Sequence, residues 1–187
     1  MDISKTLYVT DRKAWRDWLK KNYKTEPEIW MIYPKKATGK PRIEYNDAVE
    51  EALCFGWIDS IQKKFDDDHS AQRFSPRKAK SNYSQPNIER LRTLVAQKKV
   101  IKEVADTLEG ILNAEFIFPP DIMKAIRANK EAWMNYQRFS EPYKRIRIAF
   151  IETARSRPEE FKKRLRHFIE MTVQNKTFGF GGIEKHY

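Results

Sequence analysis

Apolar residues fall at helical spacing near the start of the chain. Ala14, Trp15, Trp18, Leu19 and Tyr23 form one stripe behind Thr10, a suitable N-cap, and predict a helix over 11–23. The β-favouring run EIWMIY (28–33), stopped by Pro34, predicts a strand. Beyond the polar segment KKATGKPR, the stripe Ala48, Val49, Ala52 and Leu53 predicts a second helix at 47–55. Gly56 follows, where a left-handed residue closes a helix. There the period changes from helical to alternating. WIDSIQKKF (57–65) and SAQRFS (70–75) flank DDDH and predict a hairpin with a four-residue loop. Setting Phe65 opposite Ser70 puts Ser60, Gln62, Arg73 and Ser75 on one face, and Asp59, Ile61 and Phe74 on the other. A slip of one residue reverses part of that assignment.

Downstream the period is helical. Ser84 and Pro86 open a helix carrying Ile88, Leu91, Leu94 and Val95. A further helix is expected at about 99–112, on Ile101, Val104, Ala105 and Leu108, with Gly110 weakening its end. FIFPP (116–120) reads as a linker or docking segment. Ile122 and Ile126 mark a short helix, and Ala132, Trp133 and Tyr136 mark the next, after Asn129. Ser140 and Pro142 open a long helix with Tyr143, Ile146, Phe150, Ile151 and Ala154 inside. Ser156-Arg157-Pro158-Glu159 matches a capping box for the last helix, with Phe161, Leu165, Phe168 and Ile169 inside. The ending FGFGGIEKHY holds three of the six glycines and is expected to be extended or mobile. These elements describe an α+β fold: a small antiparallel sheet with helices in the N-terminal part, followed by a helical C-terminal part. The boundaries fall at 1–113, 119–175 and a glycine-rich tail, 176–187.

Composition narrows the class. The 187 residues, 40% apolar and 34% charged, suit a helix-rich globular chain with a real core. One cysteine excludes an internal disulfide. The N-terminal residues lack the apolar core of a secretory signal, and no apolar run is long enough for a membrane span, so membrane insertion is not expected and a cytoplasmic location is. The net charge of +11 is uneven. Between Gln72 and Lys102 there are nine Lys/Arg against one acid, Glu89, which favours anionic partners.

Several chemical constellations fail on spacing. Asp59, Ser60 and His69 suggest a triad, but on a hairpin Ser60 and His69 stand roughly 17 Å or more apart at about 3.3 Å per residue. His167 and His186 read as surface residues. DDDH lacks the spacing and glycine of a calcium loop and reads as a solvated turn. Cys54, at the end of an apolar helix, reads as a buried, inert thiol. No phosphate loop, dinucleotide fingerprint or zinc spacing occurs, so no cofactor or metal is expected. The segment RFSPRKAKSNYS survives: Arg77, Lys78 and Lys80 precede Ser81, Asn82, Tyr83 and Ser84, immediately before a helix start. Cations, hydroxyl and amide donors and helix N–H groups thus converge, as an anion site requires.

CFGWIDS, RFSPRKAKSNYS and the following Asn87 together resemble the bacterial YdeI/OmpD-associated family, also called bacteriocin-protection proteins. AWRDWLKKN, EIWMIYPKK, AIRANKEAW, YKRIRIAFIETARS and FGFGGIEKHY extend the similarity over nearly the whole chain. Residues 98–110, KKVIKEVADTLEG, depart from it, standing where many relatives have a shorter Met-Thr-Pro-Ala-Gly-like turn. The resemblance implies a role in bacteriocin protection or a link to an outer-membrane porin, and carries over Trp57, Asp59, Ser60, Arg73, Ser75, Arg77, Ser81, Tyr83 and Asn87 as motif positions. It implies no catalytic set.

The expected function is a non-enzymatic module for an anionic small molecule or nucleic acid, with a protein partner as a further class. In it Arg77, Lys78 and Lys80 supply charge, Ser81, Asn82 and Ser84 donate, and Tyr83 or Trp57 offers a stacking face. The alternative is an enzyme acting on a small anionic substrate through Asp59 and Ser60 with the neighbouring arginines.

Overall fold

The computed structural model describes residues 3–78, 81–179 and 182–187. They form two compact units: Met1–Tyr83 with Leu91–Leu112, and Ser84–Arg90 with Asn113–Tyr187. Each is described by itself.

The first unit joins a four-stranded sheet to helices. Strand β1 (Thr6–Leu7) lies parallel to β2 (Ile29–Pro34), β2 pairs antiparallel with β4 (His69–Pro76), and β4 pairs antiparallel with β3 (Trp57–Lys64), in the order β1-β2-β4-β3. The expected antiparallel hairpin is there, and β1 makes the sheet mixed. Two residues of a β1-type segment leave no alternation to read.

Helix α1 (Arg12–Asn22) carries the predicted stripe, with Trp15 and Leu19 fully buried. Its N-cap is Asp11 rather than Thr10: the Asp11 carboxylate accepts from the Ala14 N–H at 2.9 Å, and the Thr10 hydroxyl is turned to Asp11 instead. Helix α2 (Tyr45–Cys54) ends as its sequence suggests. Gly56 has φ +71°, its N–H donates to the Leu53 carbonyl, and a Cβ there would press on Val104 at 3.1 Å. The aromatic core builds around these helices. Trp15 stacks on Trp18 at 5.2 Å, Trp18 meets Trp57 edge-on at 5.7 Å, and Phe74 of β4 closes against Trp15 at 5.4 Å.

The hairpin register differs from expectation. Asp59 faces Phe74 and Ile58 faces Ser75, whereas beyond a bulge at Ser60–Ile61 the partners become Gln62–Gln72 and Lys64–Ser70. An extra residue on one strand shifts every later side chain by one position. Gln62 therefore joins Ser70, to which it donates at 3.2 Å, and leaves the face that Ser60 shares with Arg73. In the turn, Asp66 accepts from the backbone N–H groups of Asp68 and His69 and contacts the His69 ring, so DDDH is an exposed Asx-type turn.

Helix α3 (Gln85–Ala96) follows, its residues to Arg90 grouping with the second unit and those from Leu91 with the first. The helix expected over 99–112 is two short pieces, α4 (Lys102–Ala105) and α5 (Glu109–Asn113). The Thr107 hydroxyl turns back onto the Val104 carbonyl between them. The same carbonyl accepts the Thr107 N–H at 3.0 Å, and hydroxyl back-bonding of that kind bends helices.

The second unit holds α6 (Pro120–Arg127), α7 (Lys130–Arg138), α8 (Glu141–Glu152) and α9 (Pro158–Val173). Asn129 and Ser140 cap α7 and α8 through their side chains, as read from sequence. Ser156 does not cap α9, whose N-cap is Arg157 without a side-chain bond. Phe150 is exposed rather than internal, lying beneath the Arg164 guanidinium. Ile122, Ile126, Tyr143, Ile151 and Phe168 centre the core. From Gly182 the ending is folded rather than extended: Ile183–His186 form a 3-10 turn with Ile183 and His186 buried, and residues 180–181 of the expected tail lie outside the described residues. The Tyr187 hydroxyl donates to the Phe178 carbonyl at 2.9 Å. His186 is thus not a surface residue.

Candidate anion site

The segment leaving β4 is shaped around one guanidinium. Arg77 Nη2 donates to the Ser81 carbonyl (3.2 Å), the Ser81 hydroxyl (3.1 Å) and the Asn82 carbonyl (2.9 Å), and its Cζ lies 3.8 Å from the centre of the Tyr83 ring. The Ser81 hydroxyl in turn donates to the Lys78 carbonyl at 2.8 Å, and the Arg77 N–H donates to the Gly56 carbonyl, tying the loop to the end of α2. Carbonyls, a hydroxyl and a π-face orient this cation without neutralising it. Among the described residues no carboxylate pairs with Arg77 or with the exposed Lys78. Lys80 lies outside the described residues.

The other motif positions separate. Arg73 is spent: its Nε and Nη2 both meet Glu28 Oε2 at 2.7 Å, and its Nη1 reaches the Ser60 hydroxyl at 3.4 Å. Glu28 also accepts from Ser4 and Trp30, and these bonds, Ser4 first and then Arg73, hold its carboxyl below the ordinary 4.5. Ser75 is half-buried and sits opposite Ile58. Trp57 is a core residue, 1% exposed, with its indole N–H donating to the Tyr23 carbonyl and its ring against Trp18. It offers no open stacking face. Asn87 belongs to the second unit, where its side-chain oxygen accepts from Arg90 at 2.9 Å, and Ser84 precedes it there, exposed.

Asp59 and Ser60 part company because successive strand residues point to opposite faces. Asp59 accepts from the Tyr45 hydroxyl at 2.7 Å on the helix side of the sheet, whereas Ser60 turns to Arg73. An acid and a hydroxyl so divided are not a general base and its nucleophile. The charge of Asp59 also acts on Tyr33, whose buried hydroxyl has no hydrogen-bond partner among the described residues. Burial first, then the charges of Tyr45 and Asp59, raise its pKa above the ordinary phenol value. Tyr45, Glu28 and Tyr33 escape a reading of short motifs because each lies at least 12 residues away in sequence from the side chain it serves. No local spacing announces them.

Cys54 is fully buried, and burial pushes its thiol up to about 11, which makes a thiolate nucleophile unavailable near neutral pH. Among the described residues no group of three or more His, Cys, Asp or Glu is placed to hold a metal ion. No helix among the described residues is long and apolar enough to cross a membrane.

Comparison with protein families gives two matches. A family described as a domain of unknown function (DUF8412) matches residues 7–106, and the family described as bacteriocin-protection, YdeI or OmpD-associated matches residues 115–175. No curated protein and no solved structure matches the chain significantly.

Proposed function

The chain belongs to the family described as a domain of unknown function (DUF8412), carries over 115–175 a match to the bacteriocin-protection, YdeI or OmpD-associated family, and on that premise we propose that it is a non-enzymatic binding module for a phosphate-bearing partner, a small molecule or a nucleic acid. Arg77 and Lys78 supply the charge, the Asn82 amide donates, and Tyr83 backs the guanidinium, while the Ser81 hydroxyl, already donating to the Lys78 carbonyl, holds the loop in shape. One observation carries the reading: Arg77 is fixed by four contacts, none of them with an acid. A guanidinium held in that way keeps its charge and has already lost the side-chain freedom that binding would otherwise cost. The overall excess of eleven positive charges would draw such a partner in.

The test titrates the full chain with a labelled single-stranded oligonucleotide and with inorganic polyphosphate across a series of salt concentrations. Arg77→Ala and Lys78→Ala should each lower affinity and reduce the logarithmic salt dependence by about 1. Unchanged affinity and slope in both variants would refute the proposal.

A further inference from the structure

A second, differently built recess lies within the helical unit. Phe118, Pro120 and Met123 give it an apolar floor, and Arg127, Tyr136, Glu141 and Lys144 stand around it, enclosing about 370 Å³. That volume is within the range of roughly 300–1,000 Å³ typical of small-molecule sites.

Its polar groups are incompletely satisfied in one direction: they have donors to spare. Lys144 is buried, 8% exposed, and among the described residues two oxygen acceptors meet its ammonium, Glu141 Oε1 at 2.8 Å and the Gln137 carbonyl at 3.3 Å, with the Tyr136 ring centre 5.3 Å away as a weaker neighbour. An ammonium has three N–H donors. The Tyr136 hydroxyl is also buried, and its contact is the Met123 sulfur at 3.7 Å, a weak acceptor. Burial, followed by the charge of Glu141, raises the Tyr136 pKa, so the hydroxyl stays a donor at neutral pH. Glu141 offsets the charge of Lys144. Arg127 rests on the Trp133 ring at 4.8 Å, and no carboxylate pairs with it among the described residues. The recess therefore combines one uncompensated positive charge, two buried donors short of acceptors, and an apolar floor.

We propose that this recess binds a small monocarboxylate with an aromatic or alkyl body, its carboxylate meeting Arg127, Lys144 and Tyr136 and its body covering Phe118, Pro120 and Met123. One negative charge balances Arg127. Its oxygens are the acceptors that Lys144 and Tyr136 lack. Inorganic phosphate could meet the cations but would leave the floor bare, and a neutral amide could cover the floor but would leave Arg127 uncompensated.

The experiment titrates the isotope-labelled full chain with phenylacetate, phenylacetamide and inorganic phosphate, following amide shifts by NMR. Phenylacetate should give saturable shifts clustered in residues 118–144, with the other two probes roughly tenfold weaker or more. Arg127→Gln, a change at an exposed position, should weaken phenylacetate by roughly tenfold, and Tyr136→Phe by about threefold, with unfolding curves confirming that both variants are folded. Arg127→Lys should keep most of the affinity. Absence of saturation, equal binding of the amide, or an Arg127→Gln variant that binds like the parent would each overturn the assignment.

Discussion

Two groups of arginines in the sheet-bearing unit are built on opposite plans. Arg12 and Arg16 of α1 face a row of acids on α2: Arg12 donates to Asp47, Glu50 and Glu51, and Arg16 donates to Glu51 at 2.7 Å and to the Lys99 carbonyl. Glu50 and Glu51 are buried, and against the cost of burial they hold the Arg12 guanidinium above its ordinary pKa. Arg77 meets no acid among the described residues and is oriented by carbonyls, a hydroxyl and a ring. The first arrangement spends its charge on joining two helices. The second fixes a cation in place and leaves its charge to the surroundings. Arginine content alone therefore says little about anion binding. The partner of each guanidinium decides it, which is why Arg73, two-handed on Glu28, is left out of the proposed site and Arg77 is kept in it.

The sharpest way to break this comparison is to test where the first unit stores its stability. Trp57→Ala removes a fully buried indole that touches Trp18 and bonds the Tyr23 carbonyl, and should cost about 4 kcal/mol in urea unfolding. A loss below about 1 kcal/mol would mean that Trp57 is not a core residue and would reopen its role as a stacking surface. Next in size, Glu51→Ala leaves Arg12 and Arg16 without their shared carboxylate and should cost about 3 kcal/mol, the low end for a buried pair because both arginines keep some exposure. Arg77→Ala should cost about 1 kcal/mol or less while removing anion affinity. Equal losses for Glu51→Ala and Arg77→Ala would erase the distinction between the two plans.

What could be read from the sequence follows the range of the interactions. Helix α1, the α2–Gly56–β3 junction and the caps at Asn129 and Ser140 are decided within a few residues, by stripe, left-handed glycine and side-chain acceptor, and are visible in the chain itself. The register of β3 on β4 is not, because the bulge at Ser60–Ile61 adds one residue that no composition signal marks. The split between α4 and α5 has the same character: Val104, Ala105 and Leu108 keep helical spacing across the break, where Thr107 bonds back to the Val104 carbonyl. At the candidate site, the contacts of Arg77 with Ser81, Asn82 and Tyr83 are local in sequence. The pairing of Arg73 with Glu28 spans 45 residues, and the bond from Tyr45 to Asp59 crosses from a helix to a strand. Those partners exist only in the fold, and they remove Arg73 and Asp59 from the set of groups available to a ligand.

Acid tests the paired plan by another route. Glu28 has a folded-state pKa below its unfolded value, held there by Ser4, Arg73 and Trp30. Its contribution to stability is complete above the ordinary carboxylate pKa of 4.5 and is lost as pH falls through the depressed folded value, because the unfolded chain takes up the proton first. Unfolding midpoints measured from pH 6 downward should fall more steeply in the parent than in Glu28→Gln, the two curves converging at the acid end. Parallel curves would show that Arg73 is not spent on Glu28, and would return Arg73 to the anion site.

The smallest expected effect sharpens the rule that the partner, not the residue type, sets the role. Tyr45 and Tyr33 both bring a phenol towards Asp59, but Tyr45 donates to that carboxylate at 2.7 Å while the buried Tyr33 hydroxyl has no partner among the described residues. Removing the Tyr45 hydroxyl leaves Asp59 short of a donor, so Tyr45→Phe should cost about 1 kcal/mol. Removing the Tyr33 hydroxyl takes away a desolvated group that gains nothing in return, so Tyr33→Phe should be neutral or stabilising by up to about 1 kcal/mol. The two variants differ from the parent by the same atom, a few ångströms of fold apart in role rather than in chemistry, and unfolding curves separate them by sign. If Tyr33→Phe is the more costly change, the Tyr33 hydroxyl has an acceptor in solution, and Asp59, whose charge already acts on it, is then shared by two phenols rather than held by one.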